Sequence, residues 1–309
     1  MKGIHHITAI ASDPQANLDF YQTLLGQRLV KKTVNFDDPG TYHFYFADEI
    51  GSPGTILTFF PWPGAVRGRR GNGEVGATAY SIHPDSVDYW QKRLTDHGVI
   101  PGERQTRFGL DIIPFQDPDG MIIELVIEDS PASIQPWQAG PIPTGHVLRG
   151  FHSATLWVGE AQPTADLLTS SLGFAFIGQE GRRYRFQAQG DAAGHTIDLL
   201  ERTGESYGRL GAGSVHHIAY RAKDDSEQGQ YMTMLRGHGY NVTPVKDRQY
   251  FHSIYFRAPS GVLFEIATDP PGFLTDETVA ELGSDLKLPP WLESQRPRIS
   301  QILPEVTTS

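Results

Sequence analysis

The sequence predicts an α+β protein in which four βαβββ modules pair into two curved mixed-sheet domains. Four segments of the chain each begin with a strand-like run, continue into an amphipathic stretch and end with further strands. Equivalent residues of the first and third segments are separated by 147 positions, as for Gly3 and Gly150, and those of the second and fourth by 140 or 141, as for Gly73 and Gly213. A unit of this size is too small to bury both its sheet and its helix, so the modules are expected to pair.

Each module is expected to open with a strand that leads into a helix. In module 1 the strand covers 3–10 and the helix 13–26, with Asp13 as the N-cap, Pro14 in the first turn and Gly26 at the C-terminal end. The other opening strands and helices are expected at 73–82 and 85–98, 150–158 and 161–173, and 213–222 and 226–239. Turns such as DDPG, DPDG and APSG then separate the later strands.

By chain order the four modules divide into two domains and two connecting or terminal segments. We expect a first domain at 1–129 (modules 1 and 2), a Pro-rich linker at 130–148, a second domain at 149–270 (modules 3 and 4) and a C-terminal extension at 271–309. The extension is expected to add a helix and a loop that pack on the second half of the chain.

Composition narrows the range of partners and chemistry. The 26 basic and 36 acidic side chains give a net charge of −10, which disfavours nucleic acid and membrane surfaces as partners. The absence of cysteine excludes thiolate metal sites, iron–sulfur clusters and cysteine nucleophiles. The N-terminal MKGIHHITAI has neither the apolar core nor the cleavage site of a signal peptide, so we expect a cytoplasmic protein.

Two positions of the repeat carry candidate metal ligands. In chain order, the opening-strand position holds His6, Ala77, Ser153 and His217, and the last-strand position holds Thr58, Glu124, Asp198 and Glu265. Two histidines and one carboxylate form the facial triad of non-haem Fe(II) sites. Only modules 1 and 4 together supply this set, as His6, His217 and Glu265. The sequence therefore predicts that the chain ends meet around one metal ion and that modules 2 and 3 form a metal-free partner.

The HHIT and HHIA openings and the closing PSGVLFEI resemble the vicinal oxygen chelate superfamily, which contains glyoxalases, bleomycin resistance proteins and extradiol dioxygenases. Over nearly the whole chain, including KKTVNFDDPGTYHFYF and ATDPPGF, the sequence is similar to the hydroquinone-type ring-cleaving dioxygenases. This resemblance implies the same three ligands. It also implies that five residues surround the metal and contribute to catalysis: His5, Thr8, His216, Arg248 and Tyr255.

The same resemblance implies a cofactor and substrates. We expect Fe(II), with Mn(II) as the alternative for this ligand set, and no residues for an organic cofactor. The expected substrates are a small aromatic diol, either a hydroquinone or a catechol, and O2, in a role in aromatic hydrocarbon catabolism. A homo-oligomer is left open, because sheet edges can pair between copies.

Two other functions remain open on this fold. One is a non-catalytic protein that binds or sequesters a small aromatic. The other is a glyoxalase-like metal-dependent lyase or isomerase, which is disfavoured because such sites use four protein ligands and the fourth position here is Thr58, a poor ligand.

Several histidines also have alternative interpretations. His216 could replace His217 as a ligand, although the frame shared with His6 favours His217. His152 suggests a different triad with His217 and Glu265, but it aligns with His5. Strict strand alternation would turn His5 and His216 away from the site. A further histidine, in the run TYHFYF, is expected to pack among aromatic side chains rather than to face the site.

Overall fold

The computed structural model describes residues 1–129 and 134–308, so the first four residues of the predicted linker lie outside the described part of the chain. Four βαβββ modules form two eight-stranded mixed sheets, each curved into a half-barrel. The predicted fold class is therefore confirmed. Among the described residues, no helix is long and apolar enough to span a membrane.

The first two modules have the predicted order of elements. Module 1 consists of β1 (Ile4–Ala11), α1 (Pro14–Leu18), β2 (Arg28–Asn35), β3 (Asp38–Ala47) and β4 (Ile56–Pro61). Module 2 consists of β5 (Glu74–Ile82), α2 (Val87–Asp96), β6 (Gln105–Arg107), β7 (Leu110–Gln116) and β8 (Ile122–Ile127).

The last two modules repeat that order and are followed by a short terminal helix. Module 3 consists of β9 (Phe151–Val158), α3 (Gln162–Asp166), β10 (Ala175–Glu180), β11 (Arg183–Gln187) and β12 (Thr196–Glu201). Module 4 and the extension contain β13 (Val215–Ala222), α4 (Asp225–Gly237), β14 (Lys246–Asp247), β15 (Phe251–Arg257), β16 (Leu263–Pro271) and α5 (Arg296–Ile302). Single 3₁₀ turns lie at Pro84–Ser86, Thr144–His146, Phe273–Thr275, Val279–Glu281 and Glu293–Gln295.

Each half-barrel combines modules that are not adjacent in the chain. The terminal half-barrel joins modules 1 and 4 in the strand order β14-β15-β16-β13-β1-β4-β3-β2. The central half-barrel joins modules 2 and 3 in the order β10-β11-β12-β9-β5-β8-β7-β6. The predicted meeting of the chain ends is thus observed as the antiparallel pairing of β1 with β13. The division into 1–129 and 149–270 stays a prediction about chain order, since each half-barrel draws one module from each segment.

The helices leave one face of each sheet available for a site. Asp13 caps α1 by accepting a hydrogen bond from the backbone N–H of Ala16, as predicted. The α-helix ends earlier than expected and continues as a π-helix over Asp19–Leu24. Tyr21 in this π-helix contacts Phe59 of β4, with ring centroids 4.4 Å apart. Because side chains alternate along a strand, neighbouring Thr58 faces the opposite, concave side of the sheet.

The C-terminal extension packs largely on module 1, and the predicted packing on the second half is seen in part, in the contacts of Asp276 and Phe273 with Tyr250 of module 4. Lys287 donates its backbone N–H to the carbonyl of Lys32, and its own carbonyl accepts a hydrogen bond from the Thr33 hydroxyl. Tyr42 of β3 donates to the carbonyl of Pro304. Strand β2 is an edge of the terminal half-barrel, and this segment pairs with it at a single bridge, between Lys32 and Leu286.

A buried ion pair fixes the start of the extension. Lys31 and Glu277 are ion-paired, and the side chains of both are fully buried. The same ammonium group also lies 2.5 Å from Asp276 Oδ1. Removing one partner of such a pair leaves the other as an uncompensated buried charge.

Replacing Lys31 with alanine should therefore lower the free energy of unfolding by about 3–5 kcal/mol, measured by urea denaturation. The matched control is Lys92→Ala, which removes the exposed pair of Lys92 with Asp96 in α2 and should cost about 0.5 kcal/mol or less. Equal losses for the two variants would contradict the proposed role of the buried pair.

Candidate metal centre

Three side chains from three different strands converge on the concave face of the terminal half-barrel. His6 lies on β1, His217 on β13 and Glu265 on β16, and one ligand atom of each lies within 4.8 Å of the others. The Nε2 atoms of the two histidines are 3.3 Å apart. Glu265 Oε2 is 2.9 Å from His217 Nε2 and 3.4 Å from His6 Nε2. The structure thus brings together the three residues that the repeats select.

The donor set fits a metal ion. Glu265 is fully buried, and its Oε2 atom has no hydrogen-bond partner in the described part of the chain. Burial alone would raise the pKa of Glu265, but His6 and His217 hold that pKa well below its usual range, so the group is a carboxylate. Donors bound at right angles to one ion, at about 2.1 Å each, are about 3 Å apart, as these atoms are.

The first histidine of each pair orients the second. A histidine that binds a metal through Nε2 carries its proton on Nδ1 and needs an acceptor there. His6 Nδ1 lies 2.9 Å from His5 Nδ1, and His217 Nδ1 lies 2.8 Å from His216 Nδ1. Burial holds the pKa of His5 well below its ordinary value and lowers the pKa of His216 to about 3, so both rings are neutral and can accept.

Strict alternation therefore fails at these two positions. The pairing of β1 with β13 shifts register between Ile4 and His6, and such a bulge re-aims the side chains around it. His5 is 2% exposed and contacts the His6 ring instead of pointing away from the site. His217, and not His216, is the histidine whose ring faces Glu265, so the geometry favours His217 as the candidate ligand.

A cavity of about 310 Å³ opens beside the three donor atoms. Its wall is largely aromatic and includes Phe36, Tyr45, Phe60, Trp62 and Phe251. Phe251 packs against both His5 and His6, with ring centroids 5.2 and 4.9 Å apart. The volume lies near the lower end of the range for ligand pockets, about 300–1,000 Å³, and suits a small ring.

The polar groups of the cavity include Arg248 and Tyr255. Arg248 Nε donates to the Tyr255 hydroxyl at 3.2 Å, and Tyr255 lies edge-on to the His217 ring at 5.7 Å. Burial, together with the charge of Glu265, raises the pKa of Tyr255, so its hydroxyl stays protonated and can donate. On the other side, Arg248 Nη2 binds Asp37 Oδ2 at 2.9 Å.

A second hydrogen-bond chain links Thr8 to His43, which lines the cavity. The Thr58 hydroxyl donates to Thr8 Oγ1 at 2.8 Å and lies 2.8 Å from His43 Nε2, while the Tyr45 hydroxyl lies 2.9 Å from His43 Nδ1. The Thr58 hydroxyl is thus engaged by Thr8 and His43. These hydrogen bonds add to the argument that Thr58 is a poor fourth ligand.

Sequence reasoning missed two groups that the structure brings to the cavity. His43 lines the cavity as well as packing against aromatic rings, and Asp37 reaches it from the hairpin between β2 and β3. Both belong to the run KKTVNFDDPGTYHFYF, one of the segments that resemble the ring-cleaving dioxygenases. The signal for His43 was its alternation with Tyr45 on one strand face, whereas Asp37 lies in a turn whose direction the pattern does not determine.

The central half-barrel has the same arrangement of strands, but its described residues contain no group of side chains that could hold a metal ion. The positions of the two ligand histidines are taken by Ala77 and Ser153. Glu124 is bound by both terminal nitrogens of Arg107, at 2.9 and 2.8 Å. Asp198 is bound by Arg185 at 2.8 and 2.9 Å and by Arg183 at 3.1 Å, which adds to the positive charge around these carboxylates.

His152 also lies in this half-barrel, on β9. Its Nδ1 atom lies 2.8 Å from Ser153 Oγ, which repeats the contact between His5 and His6 with serine in place of His6. Burial lowers the pKa of His152 to about 3. The alternative triad of His152 with His217 and Glu265 does not form, since the cluster contains His6.

The fold and this site define a paired-module protein with a two-histidine, one-carboxylate centre, and comparison with known proteins gives its family. The family model for the Glyoxalase/Bleomycin resistance protein/Dioxygenase superfamily matches residues 3–125 and 150–266. The chain belongs to this superfamily.

Several relatives that align with nearly the whole chain are named as dioxygenases. The provisionally named ring-cleaving dioxygenase MhqO of Bacillus subtilis is 48% identical over 97% of this chain and 95% of its own length. The chlorohydroquinone/hydroquinone 1,2-dioxygenase of Sphingobium indicum is 35% identical over 95% of this chain and 93% of its own. A crystal structure of a provisionally named Bacillus subtilis dioxygenase covers 100% of this chain and 98% of that chain, with a TM-score of 0.96 and 46% identity. The chain is accordingly an enzyme of the oxygenase class.

The contact between His5 and His6 generates a test that does not depend on turnover. His5→Phe keeps the ring shape but removes the acceptor for His6 Nδ1, and we expect the affinity for a divalent metal to fall about 10–100-fold in an anaerobic calorimetric titration. The matched control is His152→Phe, the same change at the equivalent position of the central half-barrel, which should leave the affinity unchanged. A His5→Phe protein that binds metal as tightly as the wild type would refute the orienting role.

Proposed function

We propose that the chain is an Fe(II)-dependent ring-cleaving dioxygenase that acts on a hydroquinone or a catechol. In this proposal His6, His217 and Glu265 hold the iron, and the remaining coordination positions are open to the substrate and O2. The observation that carries the proposal is the convergence of two imidazole nitrogens and one unpartnered, buried carboxylate oxygen at separations of 2.9–3.4 Å. This facial set is the ligand arrangement of non-haem Fe(II) oxygenases, and Mn(II) is the alternative ion.

The substrate class rests on the cavity and on one relative. The aromatic wall formed by Phe60, Phe251 and their neighbours offers edge and face contacts to a single ring. The Sphingobium indicum relative acts, by its name, on hydroquinone and chlorohydroquinone. We extend that class of substrate to this chain because the two proteins align over nearly their whole lengths.

The side chains around the cavity have distinct roles in this proposal. The chemistry that Fe(II) supplies when bound is a lowered pKa of a coordinated hydroxyl and a path for electrons between an electron-rich ring and O2. Arg248 provides a positive charge beside a substrate oxygen that becomes negative. His216 is neutral, and since its Nδ1 accepts from His217, its Nε2–H can donate a hydrogen bond in the cavity. His5 and Thr8 hold the ligand side of the site in place.

The proposal predicts oxygen uptake that depends on the three ligands. We expect the iron-loaded protein to consume O2 with a hydroquinone in a panel of substituted hydroquinones and catechols, and to yield a ring-opened product. His6→Ala and Glu265→Gln should each lose stoichiometric iron and lower turnover about 100-fold or more, because one of three protein ligands is gone. Oxygen electrode traces, product mass and metal analysis are the measurements.

Glu124→Gln is the matched control for Glu265→Gln, since it alters the equivalent carboxylate of the central half-barrel. This variant should keep its iron and its turnover, with folding checked by circular dichroism. If His6→Ala retained both iron content and turnover, the assignment of the iron site to this cluster would be wrong.

Removal and replacement of the metal distinguishes the candidate ions. Anaerobic treatment with a chelator should abolish oxygen uptake, and Fe(II) should restore it, whereas Mn(II) is expected to restore less. Full recovery with Mn(II) and none with Fe(II) would reverse the choice of ion. Binding of the aromatic without oxygen uptake under either ion would instead favour the non-catalytic binding protein.

A further inference from the structure

The two half-barrels place an arginine at the same position next to the last-strand carboxylate. Arg107 and Arg248 are separated by 141 positions, as are Glu124 and Glu265. The residue after each arginine has a left-handed backbone, Phe108 with φ 48° and Gln249 with φ 66°. The two loops thus share an uncommon conformation, which supports the equivalence.

The two arginines nevertheless bind different partners. In the central half-barrel, Arg107 forms a two-pronged ion pair with Glu124 at 2.9 and 2.8 Å. In the terminal half-barrel, Glu265 instead accepts a hydrogen bond from Ser253 and faces the two ligand histidines. Arg248 is directed to Asp37 and Tyr255.

Two features of the terminal half-barrel account for this difference. Tyr255 pairs with Glu265 across β15 and β16, where the central half-barrel has Pro114 opposite Glu124, and only tyrosine offers a hydroxyl to Arg248. Asp37 lies in the turn between β2 and β3, whereas the corresponding turn of module 3 carries Gly181 and Arg182. The turn therefore supplies a carboxylate to the arginine at one site only; at the other, neighbouring Glu180 accepts a hydrogen bond from the backbone N–H of Phe108 and not from Arg107.

Competition for the arginine matters because Glu265 is the more attractive partner. The Glu265 side chain is fully buried, while the Asp37 side chain is 61% exposed. The attraction between opposite charges is stronger where water is excluded. An arginine bound to Glu265 would occupy the carboxylate lone pairs and oppose a divalent cation by its charge, as Arg107 does at Glu124.

We propose that Asp37 is a positioning residue, which holds Arg248 away from Glu265 and so keeps that carboxylate available to the metal ion. The inference rests on the metal site of the proposed function. Asp37 belongs to module 1 and Arg248 to module 4, so their ion pair also joins the two ends of the chain at the mouth of the cavity. Lys246, 3.8 Å from the same carboxylate, adds to this contact.

The test is an anaerobic calorimetric titration of the full chain with Fe(II). Asp37→Asn should bind Fe(II) about 10–100-fold more weakly than the wild type, the range typical of groups that support metal ligands. Asp37→Glu keeps the charge and should stay within a few-fold of the wild type. The double variant Asp37→Asn/Arg248→Met removes the competing cation and should recover the wild-type affinity.

The charge-matched control is Asp111→Asn. Asp111 binds Arg104 at 2.5 Å on the exterior of the central half-barrel, so its loss removes one carboxylate and one ion pair far from the site. Its affinity for Fe(II) should equal that of the wild type. Thermal unfolding of every variant, with and without Fe(II), separates weaker metal binding from a loss of folding.

The possible outcomes separate this inference from the proposed function. Failure of the wild type to bind Fe(II) would refute the proposed function itself. Tight binding by the wild type and by Asp37→Asn alike would refute only the role of Asp37. Weak binding by Asp37→Asn that the added Arg248→Met does not restore would also overturn it, because the loss would not act through Arg248. Restored binding in the double variant supports it.

Discussion

The antiparallel contact between β1 and β13 is the constraint on which the rest of the structure depends. It joins the first module to the last, so that the terminal half-barrel combines strands from both ends of the chain in one sheet. Because His6 and His217 lie on these two strands, their pairing brings two imidazole rings together that are 211 positions apart in the sequence. Neither module alone has a second histidine at the ligand position. The site therefore exists only when the ends of the chain have met.

The two half-barrels have the same arrangement of strands, but the charges around their buried carboxylates differ. Both place buried carboxylates on the last strands of their modules, and a buried carboxylate needs a compensating charge. In the central half-barrel that charge comes from Arg107, Arg183 and Arg185, so the carboxylates are satisfied within the protein. In the terminal half-barrel the carboxylate of Glu265 instead faces the Nε2 atoms of His217 and His6, at 2.9 and 3.4 Å. The carboxylates of the central half-barrel are therefore neutralised by arginine, whereas the carboxylate of the terminal half-barrel is suited to bind a cation.

The repeat arithmetic predicts the modules, their pairing and the three clustered side chains, because ligand positions are fixed by strand register and register follows the hydrophobic pattern. Features that depend on contacts between modules could not be predicted in this way. The bulge that turns His5 inward arises from the pairing of β1 with β13. The contact of Asp37 with Arg248 depends on how one hairpin folds over a strand from the other end of the chain. The placement of the extension follows from a free strand edge on module 1, which chain order does not reveal.

The extension covers that edge and is also connected, through a series of side-chain contacts, to the candidate metal centre. Lys31 lies over the ring of Tyr250, 4.7 Å from its centroid, and Tyr250 donates a hydrogen bond to Asp276 at 3.0 Å. The next residue, Phe251, packs on both His5 and His6. The buried ion pair of the extension, the loop that carries Arg248 and the aromatic wall of the cavity are thus one continuous set of contacts. A disturbance of the extension should consequently reach His6 through Phe251.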